Sequence, residues 1–249
     1  VADAFYGEAP RDLGPLQLPE WQEFLHYLYL PVRLPLNDGG RQTQDDATLP
    51  ARLEFLRSAV YRAINDAIAQ PHLRDPYVYV TARRGYATPG NPLNRPGWHC
   101  DDFGGTDLNY IWTDAFPTQF LRSRAPLHVS DDDAQSMEDM AWHAELADAY
   151  RDERGPVHPS IAWIEDGPVD HLLRLTPYVV HNTPEVPAPG GMRSFFKISV
   201  STHRYNLLGN SRNHLLDYDW PMYDRAAVRN QPQGRSGDYV LEPVGASHG

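Results

Sequence analysis

The 249-residue chain carries 33 acidic against 22 basic residues, a net charge of −11 with histidines neutral. That balance argues against a broad phosphate-binding face and makes nucleic acid a poor partner, although a local basic groove stays open. Hydrophobic residues are 41% and charged residues 22% of the chain, enough for a core, and no apolar run approaches the roughly 18 residues that span a bilayer, so no membrane contact is expected.

The single cysteine, Cys100, excludes an internal disulfide framework and a cysteine-based zinc site. The opening residues lack the basic start and apolar run of a secretory signal, so the cytoplasm is the expected compartment. At this length one domain over 1–249 is expected.

The first third reads as a helical lead-in, 1–76. "LPEWQEFLHYLYL" sets Trp21, Phe24, Leu25 and Leu28 at helical spacing, and "LPARLEFLRSAVYRAINDAIAQ" does the same with Leu53, Leu56, Val60, Ile64 and Ile68. From residue 77 to 205 the texture changes to short β-prone runs broken by Pro and Gly: "YVYVTA", "GWHCD", "LNYIWTD", "APLHV", "SIAWIED", "HLLRLT", "PYVVHNT" and "RSFFKISVST". Between the fourth and fifth of these lies a helical insert, 130–154, with cap-type Ser130 and Asp131 and acids in its first turn. Residues 206–249 read as a C-terminal extension ending in a loose tail, "RNQPQGRSGDYVLEPVGASHG". Eight short strands with helices ahead of them predict a mainly β fold: a double-stranded β-helix, or jelly roll, with the N-terminal helices packed on one sheet.

Two His-x-acid triplets occur, His99-Cys100-Asp101 and His143-Ala144-Glu145, about as many as chance supplies for 11 histidines and 33 acids. Geometry separates them. Residues two apart share a face on a strand and diverge by about 200° on a helix. His143 and Glu145 fall in the helical insert and read as a solvated face. His99 and Asp101 fall at the end of a strand, with Cys100 pointing away and Asp102 the weaker ligand candidate. A third ligand is available in His181, on the strand "PYVVHNT". Twelve positions further on, Arg193 opens the strand "RSFFKISVST", where Arg193, Phe195 and Lys197 alternate with apolar Phe196, Ile198 and Val200. An arginine turned into a barrel needs an anionic partner, because burying its charge alone is costly.

This order of residues resembles the Fe(II)/2-oxoglutarate-dependent oxygenase superfamily, and its helical lead-in and "WHCDD" look most like the phytanoyl-type branch. The resemblance covers about half the chain. It implies that His99, Asp101 and His181 hold ferrous iron as a facial triad, and that Arg193 pairs with the far carboxylate of 2-oxoglutarate. It further implies that O2 is the oxidant, that Thr183 contacts 2-oxoglutarate, and that oxidative decarboxylation is coupled to hydroxylation of a substrate. The retained Asp101 argues against a halogenase.

Tyr79 and Arg83 on the first core strand, Trp112 on "LNYIWTD" and Lys197 are candidate substrate contacts, and "RRGYATPGNPLNRPG" is a candidate lid. The preferred substrate is a small polar molecule such as an amino-acid derivative or specialised metabolite. The same chemistry on a nucleic-acid base or protein side chain, and a non-enzymatic cupin-like metal module, are the alternatives.

Overall fold

A computed structural model describes residues 4–19, 21, 23–40, 47–154, 162–183 and 185–225. Among them the chain is mainly β, with nine strands and two α-helices: β1 (Arg11–Pro15), β2 (Leu25–Arg33), α1 (Arg57–Ala67), β3 (Tyr77–Ala87), β4 (Leu108–Thr113), β5 (Gln119–Ser123), α2 (Asp133–Arg154), β6 (Ala162–Asp166), β7 (His171–Leu175), β8 (His181–Asn182) and β9 (Gly191–Ser201). One sheet runs β1-β7-β4-β9-β3-β2 and a smaller one β6-β5-β8. The pairs β1–β7, β4–β7, β5–β6 and β5–β8 are antiparallel. Neither sheet closes on itself. No described helix is long and apolar enough to cross a membrane.

The chain divides into two compact units. The first comprises Val1–Gln17, Glu23–Leu25 and Arg83–Phe196. In it, Met140, Ala144 and Ala147 of α2 share a core with Leu121 of β5, Val180, Cys100, Phe103 and Leu127. Leu121 and Met140 are fully buried, each contributing roughly 1.5–3 kcal/mol of hydrophobic stabilisation. A second cluster joins Ile111, Leu173, Leu175 and Phe195, from strands of the larger sheet, to Phe120 of β5 and to Val179. Helix α2 is capped by Asp132, whose Oδ1 accepts from the Ala134 and Gln135 amides at 3.0 and 2.9 Å. The cap therefore lies one residue beyond the Ser130–Asp131 pair expected to supply it.

The second unit comprises Leu18–Gln22, His26–Ala82 and Lys197–Gly249. Its centre is an aromatic cluster of Tyr77, Tyr79 and Trp220 with Leu34. The Asp38 carboxylate serves this cluster: Oδ2 accepts from Tyr77 Oη at 2.9 Å, Arg204 Nε at 3.0 Å and Trp220 Nε1 at 3.0 Å. Asn213 ties residues beyond 205 to this unit, donating to the carbonyls of Pro31 and Thr48 at 2.9 and 2.8 Å. The tail expected at 229–249 lies outside the described residues.

Several expected elements are corrected. The first lead-in helix does not occur among the described residues; its second half is strand β2, and Phe24 is 69% exposed where a helical stripe would bury it. Pro31 and the β-prone run that ends in Val32 suit a strand and would break a helix. Only α1 remains of the two predicted lead-in helices, preceded by a 3-10 segment at Ala51–Leu56. "APLHV" forms no strand; β5 lies just before it, so α2 follows the fifth observed strand. "GWHCD" contributes one isolated bridge and "PYVVHNT" two strand residues.

Candidate metal centre

The site is built on that single bridge. His99 N donates to His181 O at 3.1 Å and His181 N to His99 O at 2.9 Å, making the two histidines a directly opposed antiparallel pair. Opposed residues on adjacent strands project to the same face. The rings lie 4.5 Å apart between centroids. Cys100 and Val180, the next residues along each segment, turn to the other face and enter the core beneath α2. Burial there pushes the Cys100 thiol far up, which keeps it protonated and unsuited to binding a metal.

Asp101 returns to the histidine face, its Oδ2 3.8 Å from His181 Nε2. One ligand atom from each of His99, Asp101 and His181 lies within 4.8 Å of the others, and this is the sole such group among the described residues. Asp101 sits in a turn and not on a strand. Asp102 organises that turn: its backbone is left-handed at φ 53°, its carboxylate accepts from Asp107 N at 2.9 Å, and its carbonyl from Gly105 N at 2.8 Å. A Cβ on Gly105 would stand 1.9 Å from the Asp102 carboxylate, so any larger residue must push that carboxylate aside.

Each histidine is oriented by a carbonyl two residues earlier. Nδ1 of His99 lies 2.7 Å from Gly97 O, and Nδ1 of His181 lies 3.0 Å from Val179 O. A carbonyl only accepts, so Nδ1 carries the proton in both rings and Nε2 carries the lone pair. This is the arrangement that presents imidazole to a metal. Two imidazole nitrogens and a carboxylate on one face could hold a metal ion and leave coordination positions open.

Arg193 on β9 is 1% exposed. Its Nε donates to the carbonyls of Ala115 and Phe116, both at 3.1 Å, and Nη1 to Pro92 O at 3.2 Å and to Asn94 Oδ1. Nη2 has no hydrogen-bond partner among the described residues. Burial, which the charge of Asp114 opposes and that of Arg83 reinforces, pulls the guanidinium pKa down to about 10, so it stays charged at neutral pH without a carboxylate on it. The guanidinium lies 5.2 Å from the Phe195 ring centroid. Phe195 and Phe120 share one apolar cluster, and Phe120 lies 6.5 Å from the His181 ring. Arg193 and the triad are thus linked through two phenylalanines.

The remaining nominated residues spread out. Thr183 is half-buried two positions after His181. Arg83 donates through Nη1 to Leu93 O. Trp112 is buried, donates to Leu16 O at 3.0 Å and stacks on Phe196. Tyr79 lies in the second unit, where its hydroxyl donates to His203 O at 2.9 Å and accepts from Tyr205 N at 3.0 Å. Lys197, in the same unit, sits 5.2 Å from the Tyr29 ring centroid. The expected lid is strand as far as Ala87, and Arg84 within it bonds Ser194 Oγ at 2.6 Å.

His143 corrects one expectation: it is buried, with Nε2 3.0 Å from His128 O, while Glu145 of the same triplet is exposed. Sequence reasoning passed over Asn94, which holds Arg193, and Asn182, whose Oδ1 accepts from Gly97 N at 2.9 Å. The proximity of "NPLN" to the His99 segment was the available signal.

No family model, no curated protein and no solved structure matches this chain.

Proposed function

We propose that the protein is a non-haem iron oxygenase of the Fe(II)/2-oxoglutarate-dependent kind, coupling oxidative decarboxylation of 2-oxoglutarate to hydroxylation of a small polar substrate. The observation that carries this reading is the combination of two lone-pair Nε2 atoms and a carboxylate on one face with a buried arginine bearing an unsatisfied Nη2. Strand order supports a jelly-roll scaffold: the core strands are shared between two sheets, β3, β4, β7 and β9 in one and β5, β6 and β8 in the other, and the chain returns to each, with the His99 bridge beside β8. The phytanoyl-type branch remains our assignment within the superfamily.

His99, Asp101 and His181 would hold the iron, which when bound would supply the oxidative chemistry, with 2-oxoglutarate and O2 as co-substrates. The protein's own contributions are positional. Gly97 O and Val179 O fix the two rings, and the Asp102 turn presents Asp101. Arg193 supplies a desolvated cation for the far carboxylate, and its Nε bonds to Ala115 and Phe116 hold the guanidinium plane in place. We assign Thr183, two positions beyond His181 and half-buried, to the same co-substrate. Tyr79 and Trp112 direct their polar atoms to backbone groups, whereas the charge of Arg83 acts on Arg193.

Anaerobic addition of Fe(II) and 2-oxoglutarate to the purified protein should give a weak visible charge-transfer band that His181→Ala abolishes together with iron binding. No band, with iron bound as tightly by His181→Ala as by wild type, overturns the reading.

A further inference from the structure

The segment leading into His99 does something the triad does not require. Arg83 and Arg193 reach it from two different strands and bond consecutive carbonyls, Arg83 Nη1 to Leu93 O and Arg193 Nη1 to Pro92 O at 3.2 Å, while Asn94 Oδ1 takes a second bond from Arg193 Nη1. Two guanidiniums are therefore gathered on three oxygens, none of which carries a full charge. The Asp114 carboxylate is engaged elsewhere: Oδ1 accepts from Ser194 N at 2.7 Å, and Oδ2 lies 3.7 Å from Arg84 Nη1.

The segment is also strained. Leu93 has φ 69°, a left-handed conformation that a leucine adopts only when its surroundings impose it. Its side chain is held among Ala87, Val186 and Phe116. A planar carboxylate prefers two parallel N–H bonds from one guanidinium. Arg193 Nε is committed to Ala115 and Phe116, so the pair left for an anion is Nη1 and Nη2, and Asn94 occupies Nη1.

We propose that Arg83 and Arg193 form one two-arginine seat for a carboxylate, in which the Asn94 amide oxygen stands where one carboxylate oxygen binds. An arriving anion takes Nη1 from Asn94, satisfies Nη2, and gains the second charge of Arg83. Because Asn94 lies five residues before His99, displacing it acts on the segment that carries two metal ligands. The identity of the anion as a dicarboxylate rests on the oxygenase reading; the seat itself rests on the arginines.

Calorimetry with two probes separates these. One is 2-oxoglutarate with Fe(II) under argon; the other is glutarate without metal, which has both carboxylates but no keto group. Wild type should bind both. Arg83→Gln should weaken both about tenfold, Arg83→Lys should recover part of that loss, and Asn94→Ala should tighten both severalfold, which loss of a merely structural bond would not do. Unchanged affinity in Arg83→Gln, or weaker binding in Asn94→Ala, overturns the seat while leaving the oxygenase reading intact if Fe(II) still favours 2-oxoglutarate over glutarate. Glutarate binding without that Fe(II)-dependent preference supports the seat and overturns the oxygenase reading. Binding of neither probe overturns both.

Discussion

Asp38 and Arg193 are the polar centres of the two units, and they are built in opposite ways. Around Asp38, opposite charges and donors close on one another: three side chains converge on Oδ2, and the carboxylate holds the Arg204 proton more tightly than usual. Around Arg193 the hydrogen-bond acceptors among the described residues are neutral oxygens, the charge of Asp114 only partly offsets burial, and one nitrogen is left without a hydrogen bond. The first pattern adds to stability, because each charge is matched within the fold. The second detracts from it, a cost that the proposed carboxylate seat would recover when filled.

If that contrast is right, substitutions in the two regions should have separable effects. The largest belongs to the triad. Asp101→Ala should lower metal affinity more than about a hundredfold, beyond the roughly 10–100-fold typical of residues that only orient ligands, with little change in the thermal midpoint. Calorimetric metal titration beside a melting curve checks it. Asp38→Ala should do the reverse. Leaving Arg204, Tyr77 and Trp220 without their acceptor should cost roughly 3 kcal/mol in denaturant unfolding while metal affinity stays at the wild-type value. Equal loss of stability and metal binding in both variants would erase the distinction.

A smaller effect is expected at Gly105→Ala. Its Cβ must push the Asp102 carboxylate aside and re-aim Asp101, so metal affinity should fall about tenfold at a stability loss of roughly 1–2 kcal/mol. The smallest effect is alkaline. Burial raises the Tyr77 phenol above its usual value, so above about pH 10 the unfolded chain releases this proton before the folded one does. The folded state then binds more protons than the unfolded, and stability falls as pH rises through that window. Tyr77→Phe should flatten this slope in urea melts between pH 9 and about pH 11; an unchanged slope would place the titration elsewhere.

The triad was legible because its logic is period-two alternation, and it survived even where strands did not. His99 and Asp101 lie on no extended strand, yet one bridge sufficed to put Cys100 and Val180 on the helix side and both histidines opposite. Helix α2 was legible from its acids and cap-type residues, misjudged by a residue at its start. Strand β2 was not, because Trp21, Phe24, Leu25 and Leu28 imitate a helical stripe and the deciding residue, Pro31, stands beyond them. β1, "RDLGP", carries Gly, Pro and two charges and offers no β signal; it exists because β7 supplies it a partner. His143 misled in the other direction: the sequence showed that it diverges from Glu145, but not that the His128 carbonyl would accept it into the interior. Pairing across distance, as between Asn94 and Arg193, leaves no trace in the sequence beyond the nearness of "NPLN" to His99.

One detail of the histidines has a bearing on how this centre changes over generations. The groups that set both rings are carbonyls of Gly97 and Val179, which every residue type possesses. No point substitution can delete them, whereas an orienting aspartate or glutamine could be lost in a single step. The angle at which the nitrogens face a metal is therefore set by the backbone and is sensitive where the backbone is: Gly97 holds φ 99°, so a side chain there would strain the turn and re-aim its carbonyl, as would an insertion between Gly97 and His99.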